Sequence, residues 1–295
     1  MRVAIVGPGA LGCLFAARLA RSGTQTTLVD YRADRAARLS EVGITVEGAD
    51  ETYSATLPVV TTPPQRQDLA IILTKAYATA ELRLPSNTPI LTLQNGLGNV
   101  ETLCALVGSA AVLAGTTAEA ATRLGEGHVR HVAGGHTILG AWTSCNPQPA
   151  LDALTAAGFE VELTDAPGQA IWQKAAVNAG INPITALLNV PNGELLRIAE
   201  ARQLMRDLVV EAVKVATTEG YRFDRSLVEQ AEEVCTTTAD NISSMLQDVR
   251  AGKRTEIDAI SGMIIQRAQV SALHTPRTRV VWQLVKGLER RAKQE

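Results

Sequence analysis

Apolar positions follow two regimes along the chain. In the first half, short apolar runs alternate with segments of helical spacing. Residues 3–6 (VAIV) form a run rich in β-branched side chains that stops at Gly7, which predicts a buried parallel strand. Leu11, Leu14, Phe15, Arg18 and Leu19 then give a helix over residues 11–20 with one largely apolar face, ended by Gly23. Residues 26–29 predict the next strand, with Asp30 at its tip, and residues 33–42 an Ala- and Arg-rich helix. Residues 69–74 (LAIILT) and 89–94 (PILTLQ) read as two more buried strands. Such alternation is the pattern of a doubly wound parallel sheet. Residues 128–131 and 136–142 flank Gly134-Gly135 and predict a hairpin. A helix over residues 151–157 and a strand over 159–163 follow. Beyond Pro167-Gly168 the spacing is helical, over residues 171–188, 195–220, 227–250 and 256–272. The expected fold is an α/β, Rossmann-type N-terminal domain over residues 1–167 and an all-helical C-terminal domain over 168–295, with the boundary near residues 166–169.

The turn after the first strand reads Gly7-Pro8-Gly9-Ala10-Leu11-Gly12, a G-x-G-x-x-G. Glycine turns are common, but this one follows a strand, opens a helix and precedes an acid, Asp30, at the next strand end. That context points to a dinucleotide. Gly7 permits the tight turn, Gly9 lets a pyrophosphate approach the backbone, and Gly12 lets helix and sheet pack closely. The amides of Ala10 and Leu11 and the helix dipole would face the phosphates. Asp30 would hold ribose hydroxyls and repel a 2′-phosphate, which favours NAD. Arg32 and Arg35 could instead pair with that phosphate, which favours NADP. Both alternatives stand at this point.

Composition removes several other classes. The net charge of −2 gives no basic field for nucleic acid or anionic membrane. The basic run at residues 286–293 reads as a solvated helix end. Cys13, Cys104, Cys145 and Cys235 form no C-x-x-C pair, so neither a disulfide framework nor a zinc site is expected, and no metal. With no signal-type segment and no apolar run near ~20 residues, a cytoplasmic protein is expected.

In the helical half, Lys174, Asn178 and Asn182 stand at i, i+4 and i+8, on one helix face among Ala175, Ala176, Val177, Ala179 and Gly180. A lysine in such surroundings is partly desolvated, its pKa falls, and it suits a general acid near neutral pH. The plain alternative is a lysine that reaches solvent and asparagines that accommodate a kink at Pro183. The polar stretch at residues 240–248, followed by Glu256, offers hydroxyls and a carboxylate. By itself it reads as helix surface.

Taken together, GPGALG, Lys75 after LAIILT, QNGLGN (residues 94–99), QKAAVNAGINPITALLNVPNGEL (173–195) and DNISSMLQDVRAGKRTEID (240–258) closely resemble ketopantoate reductases, the 2-dehydropantoate 2-reductase family. The resemblance runs from residue 1 to about residue 290. It implies a Rossmann domain followed by a helical domain with the active site in the cleft between them. It implies NAD(P)H-dependent reduction of 2-dehydropantoate to (R)-pantoate, a step toward pantothenate and coenzyme A. Lys174 matches the family's general acid, and Asn178, Asn182, Asn192 and Ser244 its substrate ligands. Lys75, Asn95 and Ala121 match positions at the nicotinamide and its ribose, with Asn95 counted among the substrate-contacting set as well. Glu256 matches a residue shared by the cofactor and the catalytic network. The chain departs from the NADPH-using pattern at Asp30-Tyr31, where an acid ends the strand and the first arginine is Arg32. NADP(H) is expected first, with NAD(H) admitted because of Asp30. The expected partner is a small 2-oxo acid, with no nucleic acid and no membrane, and the state a monomer or homodimer. Two rivals are a reductase of another 2-oxo acid and a nucleotide-sensing module without turnover. The second would keep the glycine turn but lose the general acid.

Overall fold

β1 (Arg2–Val6) is buried from Val3 onward, as an apolar strand covered on both faces must be. The structure, a computed structural model, describes residues 1–85, 88–108 and 111–291. Contacts divide the chain into one unit of Met1–Gln94 with Asn99–Ala170 and another of Asn95–Gly98 with Ile171–Glu295.

In the first unit β1 lies between β2 (Gln25–Val29) and β6 (Leu69–Ile72), all parallel. β5 (Val59–Val60) extends the sheet beyond β2. On the other side, β7 (Ile90–Thr92), β8 (Val112–Thr117), β11 (Thr137–Ala141) and β12 (Val161–Leu163) complete the order β12-β11-β8-β7-β6-β1-β2-β5. Only the β8–β11 pairing is antiparallel. Alternate residues of β1 serve two cores. Val3 and Ile5 face a cluster with α1 (Ala10–Arg21), while Ala4 and Val6 face another that includes Leu103 of α3 (Asn99–Val107).

A second, four-stranded sheet runs β4 (Thr52–Ala55), β3 (Ile44–Glu47), β10 (His128–Ala133), β9 (Ala120–Gly125). Its Ile44, Val46 and Val129 share the core of Leu14, Phe15 and Leu19, so α1 is packed between two sheets. Phe15 stacks on Phe159 with ring centroids 4.2 Å apart. This sheet corrects the expected hairpin around Gly134-Gly135. β10 pairs with β9 and β3, whereas β11 belongs to the large sheet. The Gly-Gly step is a crossing between sheets. A Cβ on Gly135 would lie 2.7 Å from that of Ala118. The real hairpin turns at residues 125–127, where Gly127 has φ +68°.

Among its described residues the second unit has helices joined by loops and no strand. α5 (Pro167–Leu188) supplies its centre and is buried nearly all round from Ala175 to Ala186, which is how a helix apolar on every side must sit. α7 (Ala199–Thr218) packs along it through Met205 and Val209 at Gly180, where any Cβ would fall 2.6 Å from Val209. The long segments expected from spacing are interrupted. Ile198 is extended between α6 (Glu194–Arg197) and α7. Residues 238–243 separate α8 (Leu227–Thr237) from α9 (Ser244–Arg250), and both helices have serine caps, Ser226 accepting from Glu229 N–H and Ser243 from Leu246 N–H. A π-helical turn (Asp258–Gly262) leads into α10 (Met263–Val270). α11 (Pro276–Arg291) opens on Glu211 of α7, which accepts the N–H groups of Arg277 and Thr278 at 3.1 and 2.9 Å. Lys286, read from sequence as part of a solvated run, instead lies between Asp258 and Glu289, 2.9 and 2.7 Å away, and Lys293 lies outside the described residues. Among the described residues no helix is long and apolar enough to cross a membrane.

Candidate active site

The glycine turn has the stereochemistry its three positions require. Gly7 has φ +111°, and a Cβ there would sit 2.7 Å from the Thr74 amide nitrogen. A Cβ on Gly12 would fall 1.8 Å from the Gly7 carbonyl oxygen. Gly9, the N-cap of α1, has no heavy atom within 4 Å of the equivalent point. The backbone is therefore bare at the one glycine where a phosphate has to approach. No acid occupies the first turn of α1 to compete for its amides. These features fit a dinucleotide pyrophosphate on Pro8, Gly9, Ala10 and Leu11.

Asp30 ends β2 with its carboxylate buried rather than presented to solvent. It pairs with the Arg35 guanidinium through both oxygens and also accepts the Arg32 N–H at 3.1 Å. Arg32 turns outward and pairs with Asp34 at 2.8 Å, a contact exposed on both sides. Nearby in the same unit, Gln94 anchors the turn that carries Lys75. Its amide donates to the Thr74 carbonyl and to the Thr79 hydroxyl, each at 2.9 Å, and its oxygen accepts from Thr92 at 3.1 Å. Lys75 is half-buried at the head of a 3₁₀ turn, Ala76–Glu81. Ala121 sits in β9 opposite His131, whose ring meets the buried Glu119 carboxylate at 2.6 Å. Gln94 ends the expected strand at residues 89–94 and opens the QNGLGN motif, whereas Glu119 belongs to no pattern read from the sequence.

In the helical unit, Lys174 is half-buried on α5, and desolvation lowers its pKa from 10.5 to about 8 against the opposing attraction of Glu256. Glu256 is buried, and Asn95 Nδ2 donates to its Oε2 at 3.4 Å. Asn95 comes from a loop that joins this unit by packing Leu97 into the helical core, with Leu97 N–H donating to the Ala259 carbonyl at 2.8 Å. Asn178 is half-buried and Asn182 buried further along the same face of α5.

Asn192 is reached from two sides. Its N–H donates to the Asn241 carbonyl at 3.1 Å, and its Nδ2 donates to Thr238 Oγ1 at 2.9 Å. The Thr238 hydroxyl proton is committed to the Val234 carbonyl at 2.6 Å, so Thr238 must accept from Asn192, which fixes the amide orientation. Asn192 Oδ1 is thereby left buried without a hydrogen-bond partner. Ser244 is exposed at the first turn of α9. Its neighbour Ser243, not singled out by the sequence, is the buried cap and shares a 2.7 Å hydrogen bond with Thr185 of α5. Thr185 in turn donates to the Asn182 carbonyl at 2.9 Å. The Asn182 carbonyl is thus tied through Thr185 to the cap of α9, and Asn192 to the segment just before that cap.

The N-terminal model of ketopantoate reductase PanE/ApbA matches residues 3–144, and its C-terminal model residues 168–289. A 2-dehydropantoate 2-reductase of Halobacterium salinarum is 37% identical over 98% of this chain and 99% of its own. The chain belongs to the ketopantoate reductase family. The Pyrococcus horikoshii member is 33% identical over 98% of both chains. Among solved structures, the family member from Ralstonia eutropha superposes with a TM-score of 0.91 at 29% identity, covering 99% of this chain and all of that one. A D-mandelate dehydrogenase bound to NADH and anilino(oxo)acetate gives 0.93 at 26% identity with the same coverage.

Proposed function

We propose that the chain reduces 2-dehydropantoate to (R)-pantoate with a nicotinamide dinucleotide as hydride donor. The observation that carries this reading is Lys174, desolvated to a pKa of about 8 and attracted to a buried Glu256, in a chain of this family. At neutral pH such a lysine is mostly protonated, yet gives up its proton far more readily than an ordinary lysine. The bound dinucleotide would supply the hydride to the substrate's 2-oxo carbon. Lys174 would stabilise the charge growing on the carbonyl oxygen and then deliver its proton there. Asn178 and Asn182 would donate amide hydrogens to the oxo acid, and Glu256 would hold Lys174 in its charged form. Asn192 Oδ1 supports a substrate that carries a hydroxyl, because only a donor relieves a buried, unpartnered acceptor. 2-Dehydropantoate has such a hydroxyl, and an aryl oxo acid does not. Ser244 could supply a further hydroxyl contact, and Lys75, Asn95 and Ala121 remain the residues assigned to the nicotinamide end.

For the dinucleotide, the reading is NADP(H) first, with NAD(H) accepted. Asp30 repels a 2′-phosphate only while its charge is uncompensated, and here Arg35 compensates it. Arg32 is held only by an exposed pair of the kind worth little, so it can turn onto a phosphate. The setting is read as cytoplasmic, where thiols such as Cys13, Cys104, Cys145 and Cys235 stay reduced. The oligomeric state is read as monomer or homodimer.

Steady-state assays with 2-dehydropantoate and a panel of aliphatic and aryl 2-oxo acids, each with NADPH and NADH, test the reading. Lys174→Ala is expected to lower kcat by at least ~10²-fold with dinucleotide affinity nearly unchanged. Arg32→Ala should erode the NADPH preference. Near-normal turnover in Lys174→Ala, or a wild type that prefers aryl oxo acids, would overturn the assignment.

A further inference from the structure

Glu256 stands in a stretch of chain that α11 grips on both sides. Thr255 donates its backbone N–H and its hydroxyl to the same oxygen of Glu289, each at 2.7 Å. The Thr255 hydroxyl oxygen in turn accepts the Ile257 N–H at 3.2 Å. Glu289 is buried near the end of α11, and its second oxygen meets Lys286 at 2.7 Å. Lys286 also reaches Asp258 at 2.9 Å. Asp258 accepts the Trp282 indole N–H at 2.9 Å and meets Arg254 at 3.3 Å. Residues 254, 255 and 258 are therefore fixed by side chains, while the Glu256 carbonyl accepts the N–H groups of Ala259 and Ile260 at 3.0 and 3.1 Å.

Burial works against a charged Glu289, but its bonds to Lys286 and Thr255 outweigh burial and hold its carboxyl below the usual range. Buried ion pairs of this kind seldom add net stability over apolar packing, so their worth lies in geometry. Here the geometry served is that of the residue next to Thr255.

We propose that Glu289 is a positioning residue for the proton donor: through Thr255 it sets the direction in which Glu256 presents its carboxylate to Lys174 and Asn95. The C-terminal helix thereby becomes part of the reaction machinery without touching substrate. The proposal rests on Lys174 being the acid. A misplacement of about 1 Å in such a group costs up to ~10²-fold in rate.

The test compares Glu289→Ala, Glu289→Gln and Thr255→Val. Side-chain ¹⁵N-lysine NMR follows the titration of Lys174, its signal assigned by its loss in Lys174→Met. The pH profile of kcat is measured alongside. With Glu256 loosened, its attraction for the Lys174 ammonium weakens. The Lys174 midpoint is expected to fall by about half a unit or more, and kcat about tenfold, in both Glu289→Ala and Thr255→Val. Glu289→Gln keeps a carbonyl oxygen for Thr255 and should restore most of both. An unchanged Lys174 midpoint in Thr255→Val, or a Glu289→Ala enzyme that loses only thermal stability, would overturn the proposal. If Glu289→Ala does not fold, the other two variants decide. The NMR titration needs no substrate, so a chain that turned over none of the 2-oxo acids would refute the proposed function while leaving this measurement to stand or fall alone.

Discussion

Replacing Lys174 by methionine should make the protein more stable at neutral pH while abolishing its chemistry. Burial lowers the Lys174 pKa from 10.5 to about 8, a difference of about 2.5 units. At about 1.4 kcal/mol per unit this is a burden of roughly 3 kcal/mol on the folded state. Between pH 8 and 10.5 the folded protein holds fewer protons at this site than the unfolded chain does. Stability contributed by this group therefore rises with pH across that window, and the burden is full below pH 8. Methionine fills a similar volume without the charge and has no such dependence. At pH 7 the variant gains up to about 3 kcal/mol, a figure already net of the Glu256 attraction, which the shifted pKa includes. That advantage should shrink steadily from pH 8 upward and by pH 10.5 have fallen by about 3 kcal/mol. Urea unfolding of both proteins at several pH values, followed through the fluorescence of the buried Trp172 on the same helix, measures the difference. Other titrating groups are common to both proteins and cancel. Parallel stability curves from pH 7 to 10 would refute the reasoning, because they would mean that Lys174 is solvated like an ordinary lysine.

Three further outcomes follow from separate features. Gly9→Ala should fold with stability within about 1 kcal/mol of wild type yet bind dinucleotide at least ~10-fold more weakly, whereas Gly12→Ala should lose both, since its Cβ would meet the Gly7 carbonyl; thermal unfolding and dinucleotide fluorescence titration separate the two. Asn192→Leu should raise KM for a hydroxylated 2-oxo acid by about tenfold or more and leave KM for one lacking the hydroxyl unchanged, as steady-state kinetics would show. Glu211→Ala strips α11 of the acceptor for three donors, the two amides and the Thr278 hydroxyl, and should cost about 3 kcal/mol in chemical denaturation.

Much of this molecule could be read from its sequence because the physics there is local. The run at residues 3–6, the glycine turn and the acid at Asp30 lie within one strand–turn–helix–strand unit. The spacing of Lys174, Asn178 and Asn182 needs only a helix to put them on one face. What stayed hidden depends on contacts between distant segments. Asp30 reads as an open strand-end acid, and its pairing with Arg35 in the first turn of α2 (Ala33–Val42) is not visible in spacing. Gly134-Gly135 reads as a hairpin turn because glycine permits both a tight turn and a close backbone approach, and only the destination of β10 distinguishes them. Ser243 and Ser244 are indistinguishable as letters, yet one is a buried cap and the other exposed, a distinction set by where α9 begins. Glu289 lies 34 residues beyond the threonine it holds, in a helix whose basic end resembles plain surface.

The four residues Asn95–Gly98 belong physically to the helical unit, although they are encoded between a strand and a helix of the other one. Leu97 completes its core and Asn95 its carboxylate site. The two halves matched by separate family models are therefore not interchangeable parts. A chimera joined near residue 167 would pair one relative's Glu256 region with another's Asn95 loop. Recombination among relatives is free to shuffle the dinucleotide half only where that short loop travels with, or already matches, the helices it serves. An excised helical fragment would likewise start life short of one core side chain and one partner for its buried acid.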